Sequence, residues 1–471
     1  MGWFSELRHE WRPMLRLALP VVVAEVGWNI MGAVDTMMVG RLSAEAIGAV
    51  SLGSAVFLAV TIFGMGLLLG LDTLISQAWG RGEIDECHRS LFHGVYASLI
   101  LAVPLTLILL MVPWLLPRFG IHPEVERLTI PYLRPVTFGL LPLLLYATFR
   151  RYLQAKEHVH SIMFVLISAN VVNALANWAL VFGNFGFPRM EVEGAGWATL
   201  VSRIYLACGL LGFVLYYDWK ERDEAGTRLF DSSLAFDPAR FAALLRLGLP
   251  AALHMTLEVG LFALATLFAG RLDPAELAAH QIALTCAAIT FMVPLGVSSA
   301  AAVRVGHAVG AGDARRAARS GWMAIVYGVG FMSVSMSMFL LIPRVILRGF
   351  TSDERVLDVG VSLLFVAGLF QLFDGLQVVA TGALRGIGET RIPMLVAAAG
   401  YWILGMPVGY LACFTLGFGV IGLWAGMLVG LMSVGLVLVG LWRRRARELP
   451  QRVRNAVSSG AMPRKATVLT G

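Results

Sequence analysis

Charge is scarce in this sequence. Only 14% of its 471 residues are charged and 58% are hydrophobic, and the mean hydropathy is +0.75. Soluble domains carry roughly a quarter of charged residues, so this composition excludes an ordinary soluble protein and predicts a membrane protein. The 50 glycines and 19 prolines fit membrane helices, where breaks and close packing are tolerated. The basic residues behind the net charge of +7 lie in loops and the tail, which indicates topology and not nucleic-acid binding.

Cysteine and enzyme motifs are also missing or rare. The four cysteines form no CxxC pair and no metal-ligand spacing, which argues against a disulfide framework or a zinc site. No GxxxxGK[ST], HExxH or nucleophile elbow occurs, and no Asp-rich magnesium motif. We therefore expect a protein that is no enzyme and has no cofactor, no ATPase subunit and no nucleic-acid partner. An ion gradient must then drive any transport, unless the protein only facilitates it.

Long apolar runs dominate what is present. Twelve segments are long enough to cross a bilayer, which takes about 20 helical residues. They are 14–38, 46–78, 92–116, 128–149, 161–183, 194–217, 241–268, 276–303, 320–342, 357–384, 392–414 and 419–442. With the N-terminus inside, alternate loops hold 27 Lys and Arg on the cytoplasmic side and nine on the other. The positive-inside rule then predicts two cytoplasmic termini in a bacterial inner membrane.

The second half of the sequence repeats the first. Residues 15–90 align without a gap with 245–320, so LRLALP lies over LRLGLP and GRLSAEAIGA over GRLDPAELAA. We predict an all-α membrane protein with twelve transmembrane helices in two repeated six-helix lobes around a central cavity. The predicted parts are an N-lobe (1–218), a cytoplasmic linker (219–240), a C-lobe (241–445) and a basic disordered tail (446–471). Two parallel repeats favour alternating access, although duplication could also simply enlarge a scaffold.

Two acidic residues of the second half are the sharpest functional candidates. Glu258 and Asp374 fall near the middle of their spans, in MTLEVGLFAL and LFQLFDGLQVV, with no basic residue near in sequence. A carboxylate in a span costs roughly 2.5–3.5 kcal/mol on insertion scales, and a bound proton or cation removes its charge. Such a group can exchange a coupling ion for a cationic solute; the alternative is a protonated carboxyl that bonds between helices. His254, one turn before Glu258, could tune it or be satisfied locally.

The first half offers a different set of polar residues. Asp35 lies near the outer end of span 1, Asn173 and Asn177 share one face of span 5, and Thr199 lies on span 6. A carboxylate with amide and hydroxyl oxygens suits a hard cation such as Na⁺ and suits a proton relay equally well. Asparagines also join helices, and Asp35 could pair with Arg41, so the residue types leave both readings open.

The remaining intramembrane residues have weaker signals. Glu25 could pair with Arg203, the only basic residue that the hydropathy places within a span, and Asp72 suits helix packing or gating better than solute contact. Aromatic and thioether side chains near the acidic spans could contact apolar cations, or simply pack or face lipid. These possible substrate contacts are Phe262, Phe291, Met292 and Phe370.

Several motifs together resemble a known family. They are VDTMMVGRLSAEAIGAVSLG (34–53), LDTLISQAWGRG (71–82), LAAHQIAL (277–284) and TGALRGIGETRIPM (381–394). From about residue 10 to 445 the sequence is similar to the multidrug and toxic compound extrusion (MATE) family, in its NorM-type branch. The resemblance implies a V-shaped cavity between two six-helix lobes, and antiport in which Na⁺ or H⁺ enters as an amphipathic, usually cationic, drug-like compound leaves.

The resemblance also implies site residues. The resemblance matches the family's first-half cation site to Asp35, Asn173, Asn177 and Thr199. These four residues would be the metal ligands if the ion is Na⁺. It also matches the family's second-half acidic pair to Glu258 and Asp374. One departure is Phe370, where NorM-type proteins often carry tyrosine one turn before the aspartate, so a second-half Na⁺ site lacks that hydroxyl. We expect a monomer whose partners are drug-like cations and membrane lipid. A lipid-linked precursor flippase, a membrane enzyme and a channel are the alternatives.

Overall fold

A computed structural model of the protein describes residues 2–119, 122–221 and 228–458. Within these ranges all regular structure is helical and no strand occurs. Lipid cannot satisfy backbone N–H and C=O groups, so a chain this apolar must pair them within its own segments, as a helix does. The predicted all-α class is confirmed.

Twelve spans account for most of the described residues. Eleven helices are long and apolar enough to cross a membrane, and one bent pair supplies the twelfth. Spans 1 to 12 are Trp11–Val39, Ala44–Arg81, Ile84–Arg118, the pair Pro123–Phe138 and Leu140–Ala155, Val159–Phe182, Glu191–Lys220, Pro238–Ala269, Pro274–Gly310, Ala314–Leu341, Glu354–Gly386, Arg391–Thr415 and Gly419–Gln451. Hydropathy therefore predicted their number, while the helices extend several residues beyond most of the predicted limits.

Three spans depart from a single straight helix. Span 2 consists of two helices, Ala44–Leu68 and Gly70–Arg81. Span 4 bends by 44° between its two helices, at Gly139, where the backbone passes so close to Arg203 that a Cβ would lie 2.9 Å from Nη1. Span 11 contains two π-helical segments, Ala398–Gly405 and Leu411–Thr415.

The ends of the chain correct one prediction. The last helix runs from Gly419 to Ser458, so the disorder predicted from residue 446 is wrong for 446–458, while 459–471 lie outside the described residues. Charged side chains in this part hold the helix through ion pairs: Arg445 contacts Glu448 at 3.1 Å and Glu389 at 2.7 Å. The Arg445–Glu448 pair, three residues apart, stabilises this part of the helix.

The predicted linker packs on span 3. Its backbone N–H of Asp237 donates to Nε2 of His93 at 2.9 Å, and the Ser232 hydroxyl lies 3.2 Å from Nδ1 of His88. Residues 222–227 of the linker lie outside the described ranges. The charged connection is thus attached to span 3 by two buried histidines, which no pattern in the sequence predicted.

The described chain divides into two compact units. The first comprises Val23–Trp79 and Glu83–Ala252, and the second comprises Met1–Val22, Gly80–Gly82 and Leu253–Gly471. Apolar side chains from spans 1 to 7 form one buried cluster within the first unit. The lobe limits at 218 and 241, and the cavity between the lobes, stay predictions.

Close helix packing in the second unit depends on Gly321 of span 9. A Cβ there would lie 2.0 Å from Cζ2 of the fully buried Trp442 ring. We expect Gly321→Ala to displace the ring and lower the free energy of unfolding by about 1–3 kcal/mol, the usual cost of overpacking. Gly330→Ala on the same helix is the matched control, because no atom lies within 4 Å of its Cβ. Thermal unfolding in detergent measures both, and equal Tm values would contradict the expectation.

Candidate cation sites

Three spans of the first unit bring together a carboxylate, two amides and a hydroxyl. Asp35 is 6% exposed, and Asn173 and Asn177, one turn apart on span 5, are fully buried. Their Nδ2 atoms donate to Oδ1 of Asp35 at 3.0 and 2.6 Å. The Thr199 hydroxyl on span 6 donates to Oδ2 at 3.2 Å. The structure thus joins all four predicted residues at one point, which we call the first site; its cation-binding role stays a prediction.

The first site has the chemistry of a cation or proton site. The Oδ1 atoms of Asn173 and Asn177 are buried and have no hydrogen-bond partner among the described residues. With the carboxylate of Asp35 they offer the oxygen ligands that hard cations prefer. Burying a carboxylate is costly, so a cation or a proton at Asp35 would offset that cost.

Arg203 lies near the first site and not beside Glu25. Its Nη1 donates to the carbonyl of Val136 at 3.1 Å, and its guanidinium lies 3.9 Å from the centroid of the Phe57 ring. From this position it interacts electrostatically with Asp35. The contact with Phe57 is a cation–π interaction, which suits a guanidinium removed from water.

Glu25 pairs instead with Arg150 of span 4. The predicted Glu25–Arg203 pair is wrong because hydropathy ended span 4 at residue 149, whereas the helix Leu140–Ala155 carries the next residues into the unit. Both partners are nearly inaccessible to solvent, Glu25 at 9% exposed and Arg150 at 5%. A buried carboxylate is thus neutralised by a cation that the sequence had placed in a loop.

A second ion pair comes from the same helix. Arg151 Nη1 lies 3.5 Å from Oδ2 of the fully buried Asp72 on span 2. Hydropathy indicated that Arg203 is the only basic residue inside a span. That prediction is wrong, because Arg151 also lies inside one. The contact agrees with a packing role for Asp72, since it joins spans 2 and 4 within the first unit.

The second unit contains the predicted acidic pair, which we call the second site. Oε1 of Glu258 on span 7 accepts a hydrogen bond from Nε2 of Gln377 at 2.9 Å. Asp374, one turn before Gln377 on span 10, is 4% exposed. The carboxyls of Glu258 and Asp374 interact electrostatically with each other. Glu258 is half-buried and Asp374 is buried, and because like charges repel, a cation or a proton would relieve the repulsion between them.

Aromatic side chains pack beside the second site. Phe370 contacts Phe262 edge-on, with ring centroids 6.1 Å apart, and contacts Trp424 at 5.2 Å. The indole Nε1 of Trp424 donates to Nδ1 of His280 at 2.9 Å, which fixes that histidine as a satisfied core residue. Phe370 is fully buried by these contacts, so the structure gives it a packing role.

The structure also locates three other predicted residues, His254, Phe291 and Met292. His254 is 5% exposed, lies one turn from Glu258 and interacts electrostatically with Arg385. Phe291 and Met292 are half-buried on span 8. Roles for these residues in tuning the carboxyl or contacting a substrate stay predictions.

Patterns in the sequence did not indicate Gln377, Tyr401 or Arg150. Gln377 follows Asp374 by three residues, and that helical spacing was the available signal. Arg150 was hidden because the predicted limit of span 4 was residue 149, whereas the helix continues to Ala155. Tyr401 is a neutral aromatic in an apolar run, YWILG, and nothing in that run distinguishes it from a packing residue.

Known proteins match the chain over most of its length. A family model described as MatE matches residues 20–179 and 250–411, once in each half. The chain belongs to the MatE family. Among its relatives, the "probable multidrug resistance protein NorM" of Mesorhizobium japonicum is 37% identical over 94% of this chain and 96% of that protein. The protein of the same name from Brucella suis is 34% identical over 91% and 92%.

Solved structures agree on the fold. The crystal structure of the eukaryotic MATE transporter AtDTX14 matches with a TM-score of 0.82 at 23% identity, over 95% of this chain and 99% of that one. An outward-facing multidrug resistance MATE family transporter matches with a TM-score of 0.81 at 20% identity, over 93% and 96%. The resemblance drawn from the motifs is confirmed, and this MatE-family chain is a multi-pass membrane transporter.

Proposed function

We propose that this chain exports amphipathic, usually cationic, drug-like compounds in exchange for Na⁺ or H⁺ by alternating access. The relatives named as multidrug resistance proteins support the substrate class. The observation that carries the coupling is the first site, where Asp35 accepts hydrogen bonds from Asn173, Asn177 and Thr199 while almost fully buried. Three donors orient a single carboxylate that can hold a cation or a proton.

The proposed cycle follows from charge. An ion enters from outside and binds at Asp35 or at the Glu258–Asp374 pair, which neutralises a buried carboxylate. Neutralisation changes the packing of that lobe and releases the solute outward. The lobes then open to the inside, the ion leaves, and the restored negative charge attracts the next cationic solute.

The setting of the transporter is part of the proposal. It works as a monomer in the inner membrane of a bacterium, with both termini in the cytoplasm, and contacts lipid but no ATPase subunit. The excess of Lys and Arg on alternate loops supports the orientation. Na⁺ or H⁺ is a transported ion in this cycle, so no resident cofactor takes part.

Transport in everted vesicles tests the proposal. The chain is expressed in cells that lack their major efflux pumps, and vesicles are loaded either with Na⁺ or with acid. We expect one of these gradients to drive ethidium into the lumen at least about tenfold faster than in vesicles without the chain, since an antiporter must exchange the two cations. An ionophore that collapses the imposed gradient should abolish the uptake.

An Asp35→Asn/Glu258→Gln double variant is the control, and it should show no gradient-driven uptake while inserting normally. If neither gradient moves any cationic dye with folded protein present, the multidrug proposal fails. A flippase for lipid-linked precursors would then be the function to test, by scrambling of labelled lipid pyrophosphates between leaflets.

A further inference from the structure

Span 11 is distorted close to the second site. Its segment Ala398–Gly405 is π-helical, and a second π segment follows at Leu411–Thr415. The π-helix is rare and occurs frequently at functional sites, because its wider turn redirects side chains. Here the distortion accompanies tight packing on span 12, since a Cβ at Gly405 would lie 3.0 Å from Cα of Gly430.

Tyr401 lies within the first π segment. Its side chain is fully buried, and its hydroxyl has no hydrogen-bond partner in the described parts of the chain. Burying a hydroxyl without a partner is unfavourable. A phenylalanine would fill the same space without this cost, so the hydroxyl calls for a chemical explanation.

Contacts of the next residue place this segment beside Glu258. The indole Nε1 of Trp402 donates to the carbonyl of Leu257 at 3.2 Å, and its ring is so close to Gly260 that a Cβ there would lie 3.1 Å from Cζ2. Span 11 therefore touches span 7 at residues that precede and follow Glu258 in the sequence. Tyr401 itself interacts electrostatically with Glu258 and Asp374.

The Tyr401 hydroxyl is not the only oxygen atom of this region that is buried without a partner in the part of the chain that the structure describes. Oδ1 of Asp374 and Oε1 of Gln377 are buried and lack hydrogen-bond partners within the described ranges. Gln377 already holds Glu258 through its Nε2 atom. The amide nitrogen thus orients one carboxylate, while the amide oxygen of the same side chain is left without a partner among the described residues.

We propose that the Tyr401 hydroxyl and the Gln377 amide oxygen complete the second site, so that with Glu258 and Asp374 they form the oxygen set that binds the coupling cation in this unit. This inference rests on the proposed cation exchange and adds two ligands from residues outside the acidic pair. A tyrosine hydroxyl both donates and accepts. Its oxygen coordinates the cation through a lone pair, and the hydroxyl keeps its proton throughout.

The inference also accounts for the hydroxyl that Phe370 does not provide. Phe370 contacts Phe262 and Trp424, so its ring has a packing role one turn from Asp374. Span 11 supplies the oxygen from a different direction, through the π segment. The second site then has two carboxylates and two neutral oxygens without any polar side chain at position 370.

Cation binding to the purified full-length chain tests the assignment. An Asp35→Asn background removes the carboxylate of the first site, and ²²Na⁺ retention is measured against Na⁺ concentration between pH 6 and 9. In the same samples the infrared band of protonated carboxyls is titrated against pH. We expect Tyr401→Phe to weaken Na⁺ binding about tenfold, or to move the midpoint of the carboxyl band by about one pH unit if the site takes only protons.

Tyr410→Phe on the same span is the matched control. Tyr410 is 44% exposed, and its ring contacts are with Phe268 and Phe414, so its variant should bind cations as the background does. Because phenylalanine retains the ring, both variants should keep the Tm of the background; a purely packing role for Tyr401 would leave cation binding unchanged.

The outcomes separate this inference from the proposed transport. If Tyr401→Phe binds Na⁺ and titrates as the background does, or if the background itself shows neither response, the assignment of Tyr401 is overturned. If vesicles show no dye export but Tyr401→Phe still weakens cation binding, the site stands and the transport proposal alone fails. Gln377→Leu should reproduce the loss, with Gln154→Leu, a buried glutamine of the first unit, as its control.

Discussion

Asp35→Asn is expected to abolish ion-driven dye export. Asparagine keeps the shape of the side chain but not its charge, so the three donors from spans 5 and 6 would no longer orient a carboxylate toward a cation. Removing one partner of a buried, hydrogen-bonded charge pair typically costs about 2–5 kcal/mol, which corresponds to roughly a 30-fold or greater loss of apparent cation affinity. Initial rates of gradient-driven ethidium uptake into everted vesicles measure the effect.

Asp358→Asn controls for the loss of an acidic group as such. Asp358 is exposed and pairs with Arg344 at 3.2 Å, so its removal should leave the uptake rate unchanged. Full ion-driven uptake by Asp35→Asn, at matched expression, would rule out the first site as the coupling element. The second site would then be left as the only candidate that this chain offers among its described residues.

Arg150→Ala is expected to have the largest effect on stability. The change leaves Glu25 buried in the first unit without its cation. Breaking a buried ion pair in this way costs about 3–5 kcal/mol. Thermal unfolding of the detergent-solubilised protein, followed by the loss of its soluble peak on size exclusion, should show a clearly lower Tm.

Two further variants distinguish charge from packing at this pair. Arg344→Ala removes an exposed ion pair and should change stability by no more than about 1 kcal/mol. Glu25→Leu/Arg150→Leu replaces both charges by apolar groups and should recover most of the loss, since a buried pair contributes little net stability over a hydrophobic replacement. A single variant Arg150→Ala as stable as the unchanged chain would contradict the argument.

Hydropathy and self-comparison predicted the architecture well because both depend on properties repeated over many residues. About 20 apolar residues per span give a strong signal, and the offset of 230 between the halves is carried by whole motifs. The limits of single helices were less accurate. Span 4 was predicted to end at residue 149, whereas its helix continues to Ala155, so Arg150 was assigned to a loop and the partner of Glu25 was lost with it.

The sites were predictable to the extent that their residues are unusual in a membrane. Asp35, Glu258 and Asp374 are acidic residues within spans, and Asn173 and Asn177 share a face by their spacing. Which spans face each other is a tertiary property that periodicity does not encode. Gln377 and Tyr401 therefore stayed hidden, since a neutral side chain in a span is unremarkable until its neighbours from other spans are known.

The π segments of span 11 affect how this region should be compared with related sequences. A π turn spans one residue more between hydrogen-bonded partners than an α turn, and one residue corresponds to a rotation of about 100° around a helix. A relative that is one residue shorter between Ala398 and Gly405 would present a different side chain toward span 7 even if every flanking residue were identical. An ungapped alignment would then pair Tyr401 with a residue on another face, so equivalence here must be judged by position in space and not by column.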